Sequence, residues 1–165
     1  MQKFSPVLLA LAMMVGATTI VAAPEYVTIA MEIDVAKPAD EVWAKVGKYC
    51  DISEWLKLDC AITSGTGEMG TVRALAGGRI NEILVAKTAL SYGYTQPVVD
   101  GQFYNLYHGF MEAVPVTATT SKLLYTLMLD ESDKADQAAK DADVARRRAS
   151  FETALKNMKA IAEQP

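Results

Sequence analysis

The sequence predicts an α+β domain in which short strands are followed by one long C-terminal helix. Two patterns carry this prediction: runs of alternating apolar and polar residues between positions 26 and 129, and an apolar stripe at helical spacing from 144 to 161. The chain has 165 residues, enough for one domain with its own core. Its formal net charge of −4 argues against a nucleic-acid partner, because proteins that bind nucleic acids are usually basic.

Residues 1–23 have the layout of a secretory signal peptide. Lys3 supplies a short basic start, residues 7–21 are mostly apolar, and Val21, Ala22 and Ala23 are small enough for a cleavage site. The alternative, an uncleaved anchor, is disfavoured because the apolar run is shorter than the ~20 residues of a membrane span. We therefore expect cleavage after Ala22 or Ala23, a periplasmic or secreted domain over 24–165, and no stable membrane anchor after processing.

Cys50 and Cys60 are the two cysteines of the chain. In an oxidising compartment an even number of cysteines permits one disulfide, which would contribute about 2 to 3 kcal/mol in the loop-entropy model. The alternative is a pair of buried thiols. Two cysteines and one histidine do not make the ligand set of a zinc site, so we predict neither a metal nor a cofactor.

The first strand and the first helix follow directly from the residue pattern. Tyr26–Val35 alternates between apolar and polar side chains, which is typical of a strand with one buried face. Pro38 and the acidic residues after it are suited to the first turn of a helix. Val42, Trp43 and Val46 give that helix its apolar stripe.

The stretch from Gly65 to Tyr94 contains a second set of strands and a family resemblance. Gly77 and Gly78 separate two strand-like runs and predict a tight hairpin. The patterns G-x-V-R-x-L and I-x-E-x-L, followed by aromatic residues at Tyr92 and Tyr94, resemble the SRPBCC or START-like superfamily, which includes polyketide cyclase/dehydratase-like proteins. The resemblance covers roughly residues 26–163.

This resemblance implies a helix-grip fold. In that fold a curved antiparallel sheet of about six to seven strands wraps around a long C-terminal helix, with two short helices after the first strand and a ligand cavity between sheet and helix. Trp55 matches the second short helix, so it is either a lid at the cavity mouth or a core residue. Glu82 matches a glutamate that faces the cavity and helps to hold ligand. The alternative for Glu82 is an exposed ion pair with a lysine or arginine across the sheet.

Aromatic and polar residues of the later strands complete the predicted pocket. Tyr92 and Tyr94 project to one side, while Leu106, His108 and Phe110 share a face of the following strand. His108 is the single histidine and therefore the obvious acid–base candidate, but no nucleophile accompanies it. Together with Glu82 it could form a polar anchor for a ligand, and both are weak catalytic candidates.

The last element is predicted to be a helix from about Lys134 to Ala162, capped by Ser132 or Asp133. Its second half carries apolar residues at three- and four-residue steps, which suits a helix held against a sheet. On this helix, Phe151 and Ala154 are the candidates for contact with a ligand.

These observations favour an exported protein that binds a small hydrophobic or amphipathic molecule between the sheet and the C-terminal helix. The expected contact residues come from five separate elements: Glu82, Tyr92, Tyr94, Leu106, His108, Phe110, Tyr125, Phe151 and Ala154. One alternative is a cyclase or dehydratase-like enzyme that uses the same cavity. Another is an accessory role, in which the protein binds a periplasmic enzyme or an envelope system.

Overall fold

A computed structural model of the chain describes residues 23–97 and 106–165. These residues form β1 (Tyr26–Val35), α1 (Ala39–Val46), α2 (Ile52–Trp55), β2 (Cys60–Ser64), β3 (Val72–Leu75), β4 (Ile80–Lys87), β5 (Ser91–Thr95), β6 (Tyr107–Pro115), β7 (Ser121–Asp130) and α3 (Gln137–Ala162). The predicted signal peptide falls almost wholly in residues 1–22, outside the described residues. Residues 98–105, which precede β6, lie outside them as well.

The seven described strands form one antiparallel sheet in the order β1-β7-β6-β5-β4-β3-β2. The hairpin between β3 and β4 turns at Gly77 and Gly78, whose φ angles of 68° and 85° lie in the left-handed region that glycine adopts without a steric penalty. This turn sets the register of the two strands, so that Arg73 lies directly opposite Glu82. The predicted hairpin thus brings the two charged residues of these strands together.

Helix α3 packs against the inner face of the sheet. Asp136 caps the helix, because its side chain accepts a hydrogen bond of 2.8 Å from the backbone N–H of Ala139. The helix therefore begins at Gln137, later than the start near Lys134 that the sequence predicted. The buried side of α3 lies in its second half and consists of Phe151, Ala154, Leu155, Met158 and Ala162. With 26 residues the helix is about 39 Å long.

Helices α1 and α2 close one end of the space between the sheet and α3. Val42 and Val46 face the core, and Ile52 and Trp55 of α2 are buried as well. The Lys45 ammonium donates a hydrogen bond of 2.6 Å to the carbonyl of Gln164, which joins α1 to the end of α3. The predicted helix-grip architecture, with two short helices after the first strand, is confirmed. No helix in the described part of the chain has both the length and the apolar character needed to span a membrane.

The grip of the sheet on α3 depends on buried apolar contacts that a single substitution can test. Leu155 is 1 % exposed and belongs to the core between α3 and the sheet. We expect Leu155→Ala to lower the free energy of unfolding by about 2 to 5 kcal/mol in urea titrations, because it leaves a cavity. The neighbouring Lys156 is exposed, and Lys156→Ala should change the free energy of unfolding by less than about 0.5 kcal/mol. Equal effects of the two substitutions would contradict this packing.

Candidate functional site

A pocket of about 350 Å³ opens between α1 and the strands β4 and β5. We call it the α1 pocket. It differs in position from the predicted cavity, because it lies beside α1 instead of between the sheet and α3. Its lining combines residues of α1, of the loop after α1, and of β4 and β5: Trp43, Ala44, Gly47, Lys48, Tyr49, Gly67, Leu84, Lys87, Thr88, Ser91 and Tyr92.

Three aromatic rings form one wall of the α1 pocket. The ring centroids of Trp43 and Tyr92 are 5.7 Å apart, and those of Tyr49 and Tyr92 are 5.5 Å apart in an edge-to-face arrangement. Both separations fall in the range of favourable aromatic contacts. Trp43 comes from α1, Tyr49 from the loop after it and Tyr92 from β5, so this wall forms only when the helix packs on the sheet.

Gly47 allows the indole of Trp43 to lie across the end of α1. A Cβ atom at position 47 would lie 2.4 Å from Cδ2 of Trp43, closer than any real contact. The glycine therefore fixes the place of the Trp43 ring, and with it one side of the pocket.

The polar groups of the α1 pocket are hydroxyls and lysines. The hydroxyls of Thr88 and Ser91 bond to each other at 2.7 Å. The hydroxyl of Tyr49 is buried and has no hydrogen-bond partner among the described residues. The hydroxyl of Tyr92 lies near the Arg73 guanidinium, but their alignment does not meet the geometry of a hydrogen bond. Buried hydroxyls without a hydrogen-bond partner are uncommon in proteins.

An ion pair between Arg73 and Glu82 lies behind the aromatic wall. Both side chains are almost fully buried, at 0 % and 4 % exposure. Nε and Nη2 of Arg73 donate to Oε2 of Glu82 at 2.8 and 2.6 Å, and Nη1 donates to the carbonyl of Tyr49. The guanidinium carbon also lies 4.2 Å from the centre of the Tyr49 ring and 4.9 Å from that of Tyr94. Arg73 thus binds the strands to the loop that carries Tyr49.

Burial determines the ionisation of the groups around this pair. It raises the pKa of Glu82, and the charge and hydrogen bonds of Arg73 oppose that rise. It also raises the pKa of Tyr49 and Tyr92, again against the nearby positive charge of Arg73. The two tyrosines are therefore neutral hydrogen-bond donors at neutral pH.

A disulfide holds the loop that carries Tyr49. Cys50 and Cys60 are bonded, with their Cα atoms 5.5 Å apart, and the bond joins the residue after Tyr49 to the start of β2. The described residues contain no group of three or more histidines, cysteines or acids placed to hold a metal ion.

Several predicted ligand contacts belong to the core instead of the pocket. The hydroxyls of Tyr94 and Tyr125 bond to each other at 2.8 Å, and the Tyr125 ring packs 4.6 Å from that of Phe151. Ala154 is completely buried on α3. These side chains fill the space between the sheet and α3 where the sequence analysis placed a ligand. Among the predicted contact residues, Tyr92 lines the α1 pocket, whereas Glu82 is outside its lining and bonds to Arg73.

His108 and Phe110 lie on the opposite face of the sheet, so the prediction that His108 and Glu82 form one polar anchor is wrong. A Cβ atom on Gly109 would touch the Tyr94 ring, which shows that position 109 faces the interior. Since successive strand residues alternate between faces, His108 and Phe110 face outward, where Phe110 is 38 % exposed. They line a shallow apolar groove on that outer face.

Trp55 and Leu106 also lie away from the α1 pocket. Trp55 is 0 % exposed, its ring contacts Tyr125, and its carbonyl accepts a hydrogen bond of 2.9 Å from Asn157 on α3. The lid interpretation of Trp55 is therefore wrong, and the core alternative is correct. Leu106 is half-buried near Glu131 and Arg147, where β7 leads into α3.

The sequence analysis missed Trp43, Tyr49 and Leu84 as pocket residues. It assigned Trp43 to the buried stripe of α1 and gave Tyr49 no role. A usable signal existed for Arg73, because counting outward from the Gly77–Gly78 turn places it opposite Glu82. Nothing in the local sequence marks Tyr49, whose position depends on Arg73 and the disulfide.

Comparison with solved structures identifies the architecture. The Zhui aromatase/cyclase of a Streptomyces species matches with a TM-score of 0.64 at 16% identity, over 84% of this chain and 94% of that one. The protein Ara h 8.0201 matches with a TM-score of 0.60 at 16% identity, over 84% of this chain and 98% of that one. A protein of Nitrosospira multiformis matches with a TM-score of 0.60 at 24% identity, over 81% of this chain and 94% of that one.

The chain has the helix-grip fold that these structures share. No protein-family model and no curated protein matches it by sequence. At these identities the helix-grip structures show a shared fold and leave the ligand and the activity of this chain to be inferred from its own residues.

The buried ion pair gives a prediction for stability. Arg73→Met should lower the free energy of unfolding by about 3 to 5 kcal/mol in urea titrations at neutral pH, because Glu82 loses its partner inside the protein. The double variant Arg73→Met/Glu82→Leu should recover most of this loss. As a control, Lys122→Met removes an exposed ion pair with Glu32 and should lower the free energy of unfolding by at most about 1 kcal/mol.

The same variant has a defined pH dependence. In Arg73→Met the folded-state pKa of Glu82 lies further above its unfolded value, so the folded protein holds the proton more tightly. The variant should therefore lose stability as pH rises through the folded pKa of Glu82, and the double variant should not. An unchanged pH profile would show that Glu82 is solvated.

Proposed function

We propose that this protein binds a small, mainly hydrophobic molecule in the α1 pocket. The observation that carries the proposal is the pocket itself, in which Trp43, Tyr92 and Leu84 offer apolar surface beside a few hydroxyls. Such a mixture of aromatic walls and sparse polar groups is typical of small-molecule sites. Covering about 200 Å² of ligand hydrocarbon would contribute about 5 kcal/mol before the entropic cost of binding.

The enzyme alternative receives less support. One structure with the same fold is an aromatase/cyclase, but the two weak catalytic candidates of this chain lie on opposite faces of the sheet. Glu82 is held by Arg73, and His108 faces outward. We therefore propose a binding protein, and activity on a polyketide-like substrate would be a second use of the same pocket. An accessory role beside a periplasmic enzyme or envelope system has no specific observation in its favour.

Blocking the α1 pocket tests the proposal. Ala44 lines the pocket and is exposed, so Ala44→Phe should fill the pocket without disturbing the core. We expect it to weaken binding at least about tenfold, a loss of about 1.4 kcal/mol, in calorimetric titrations with ligands found by native mass spectrometry. The matched control is Ala145→Phe, at an exposed position on α3, which should bind normally.

Two results would contradict the proposal. Full binding by Ala44→Phe would place the ligand elsewhere. If the wild-type protein shows neither a bound molecule after purification nor a thermal shift with lipids, sterols or aromatic compounds, it is not a binding protein of this kind.

We also propose that the protein is exported and loses its N-terminal segment. The signal-peptide pattern of residues 1–23 supports this, and the disulfide fits an oxidising compartment. The intact mass of protein isolated from the periplasm should correspond to a chain starting after Ala22 or Ala23, with two hydrogens fewer than the dithiol form. A full-length mass in the cytoplasmic fraction would refute export.

A further inference from the structure

The charges around the α1 pocket define the class of its ligand. Among the residues that the structure describes, the charged ones in its lining are Lys48 and Lys87, and none is acidic. The Lys87 ammonium is already bound by the carboxylate of Glu68 and the carbonyl of Gly67, each at 2.8 Å. Lys48 is exposed, and its ammonium makes no hydrogen bond or ion pair with any described residue. Its backbone N–H donates a hydrogen bond of 2.8 Å to the Asp51 carboxylate, so that acid lies near the Lys48 charge. Lys48 is thus an available cation at the rim.

The aromatic wall does not suit a cationic ligand. Rings of tryptophan and tyrosine can hold an ammonium group over their faces, but Arg73 already lies 4.2 Å from the centre of the Tyr49 ring and 5.8 Å from that of Tyr92. A second cation would meet the guanidinium of Arg73, which is paired with Glu82, and the Lys48 ammonium at the rim. The repulsion disfavours amines and quaternary ammonium compounds.

The volume of the pocket limits the size of the ligand. About 350 Å³ lies near the lower end of the ~300–1,000 Å³ range of small-molecule sites. A compound with one or two rings fits that space, whereas a sterol or a long polyketide chain would project from it. The apolar part of such a compound would contact Trp43, Leu84 and Tyr92.

We propose that the α1 pocket binds a small aromatic or aliphatic carboxylic acid as its anion, with the hydrocarbon against Trp43, Leu84 and Tyr92 and the carboxylate at Lys48. This inference rests on the proposed binding function and adds the charge and size of the ligand to it.

Three probes of similar size and different charge test the proposal. They are naphthalene-2-carboxylate, naphthalene-2-carboxamide and 2-naphthylmethylammonium, each titrated calorimetrically into the mature protein. We expect the carboxylate to bind tightest, the amide more weakly and the ammonium weakest. Because the ion pair lies at an exposed rim, Lys48→Gln should weaken carboxylate binding about three- to fivefold and leave amide binding unchanged. Raising the salt concentration should reproduce part of that loss.

The control substitution is Lys156→Gln, at an exposed lysine on α3 outside the pocket, which should leave binding of all three probes unchanged. Equal binding of carboxylate and amide, or tighter binding of the ammonium, would overturn the carboxylic-acid proposal while the binding function stands. The same holds if Lys48→Gln and Lys156→Gln behave alike. If none of the probes binds but native mass spectrometry finds another hydrophobic ligand, the proposed ligand class is again wrong. If the protein takes up no ligand at all, the proposed function fails as well.

Discussion

The ion pair between Arg73 and Glu82 is the contact on which the candidate site depends. It joins β3 to β4, binds the carbonyl of Tyr49, and places a positive charge beneath the Tyr49 ring. A buried ion pair contributes little net stability, because the cost of removing two charges from water offsets their attraction. Its role here is to hold other segments in position. The loop after α1 has no strand or long helix of its own, and Arg73 gives it a fixed place against the sheet.

In this protein the pocket does not lie in the central space between the sheet and α3. The space between the sheet and α3 is occupied by Trp55, Tyr94, Tyr125 and Phe151, and Tyr125 contacts each of the other three. These side chains form part of the hydrophobic core, and the accessible pocket lies beside α1. The fold therefore provides the pocket through the junction of a helix and a sheet edge, while its central space serves stability.

The fold could be read from the sequence because it depends on local patterns. Alternation in Tyr26–Val35, the glycine pair at the β3–β4 turn and the stripe of α3 each specify one element. The site could be read only in part. On β6 both faces carry large side chains, Tyr107 and Met111 on one and His108 and Phe110 on the other, so alternation alone does not say which face is buried. The sequence analysis chose the outer set.

The remaining error comes from contacts between distant segments. For Glu82 the sequence offered a carboxylate facing the cavity or an exposed ion pair across the sheet. The structure shows a cross-strand pair with Arg73 that is buried. The α1 pocket needs Trp43, Tyr49 and Tyr92 to meet, which depends on how α1 packs and where the disulfide holds its loop. No periodicity within one segment carries that information.

Gly47 has a consequence for selectivity. Because a Cβ atom there would collide with the Trp43 indole, any larger residue would force the ring to turn or shift. The size of the pocket therefore depends on Gly47, which can contact a ligand only through its backbone atoms. Homologous chains could alter the size of the molecule they accept by changing this one residue, without replacing any side chain that touches it.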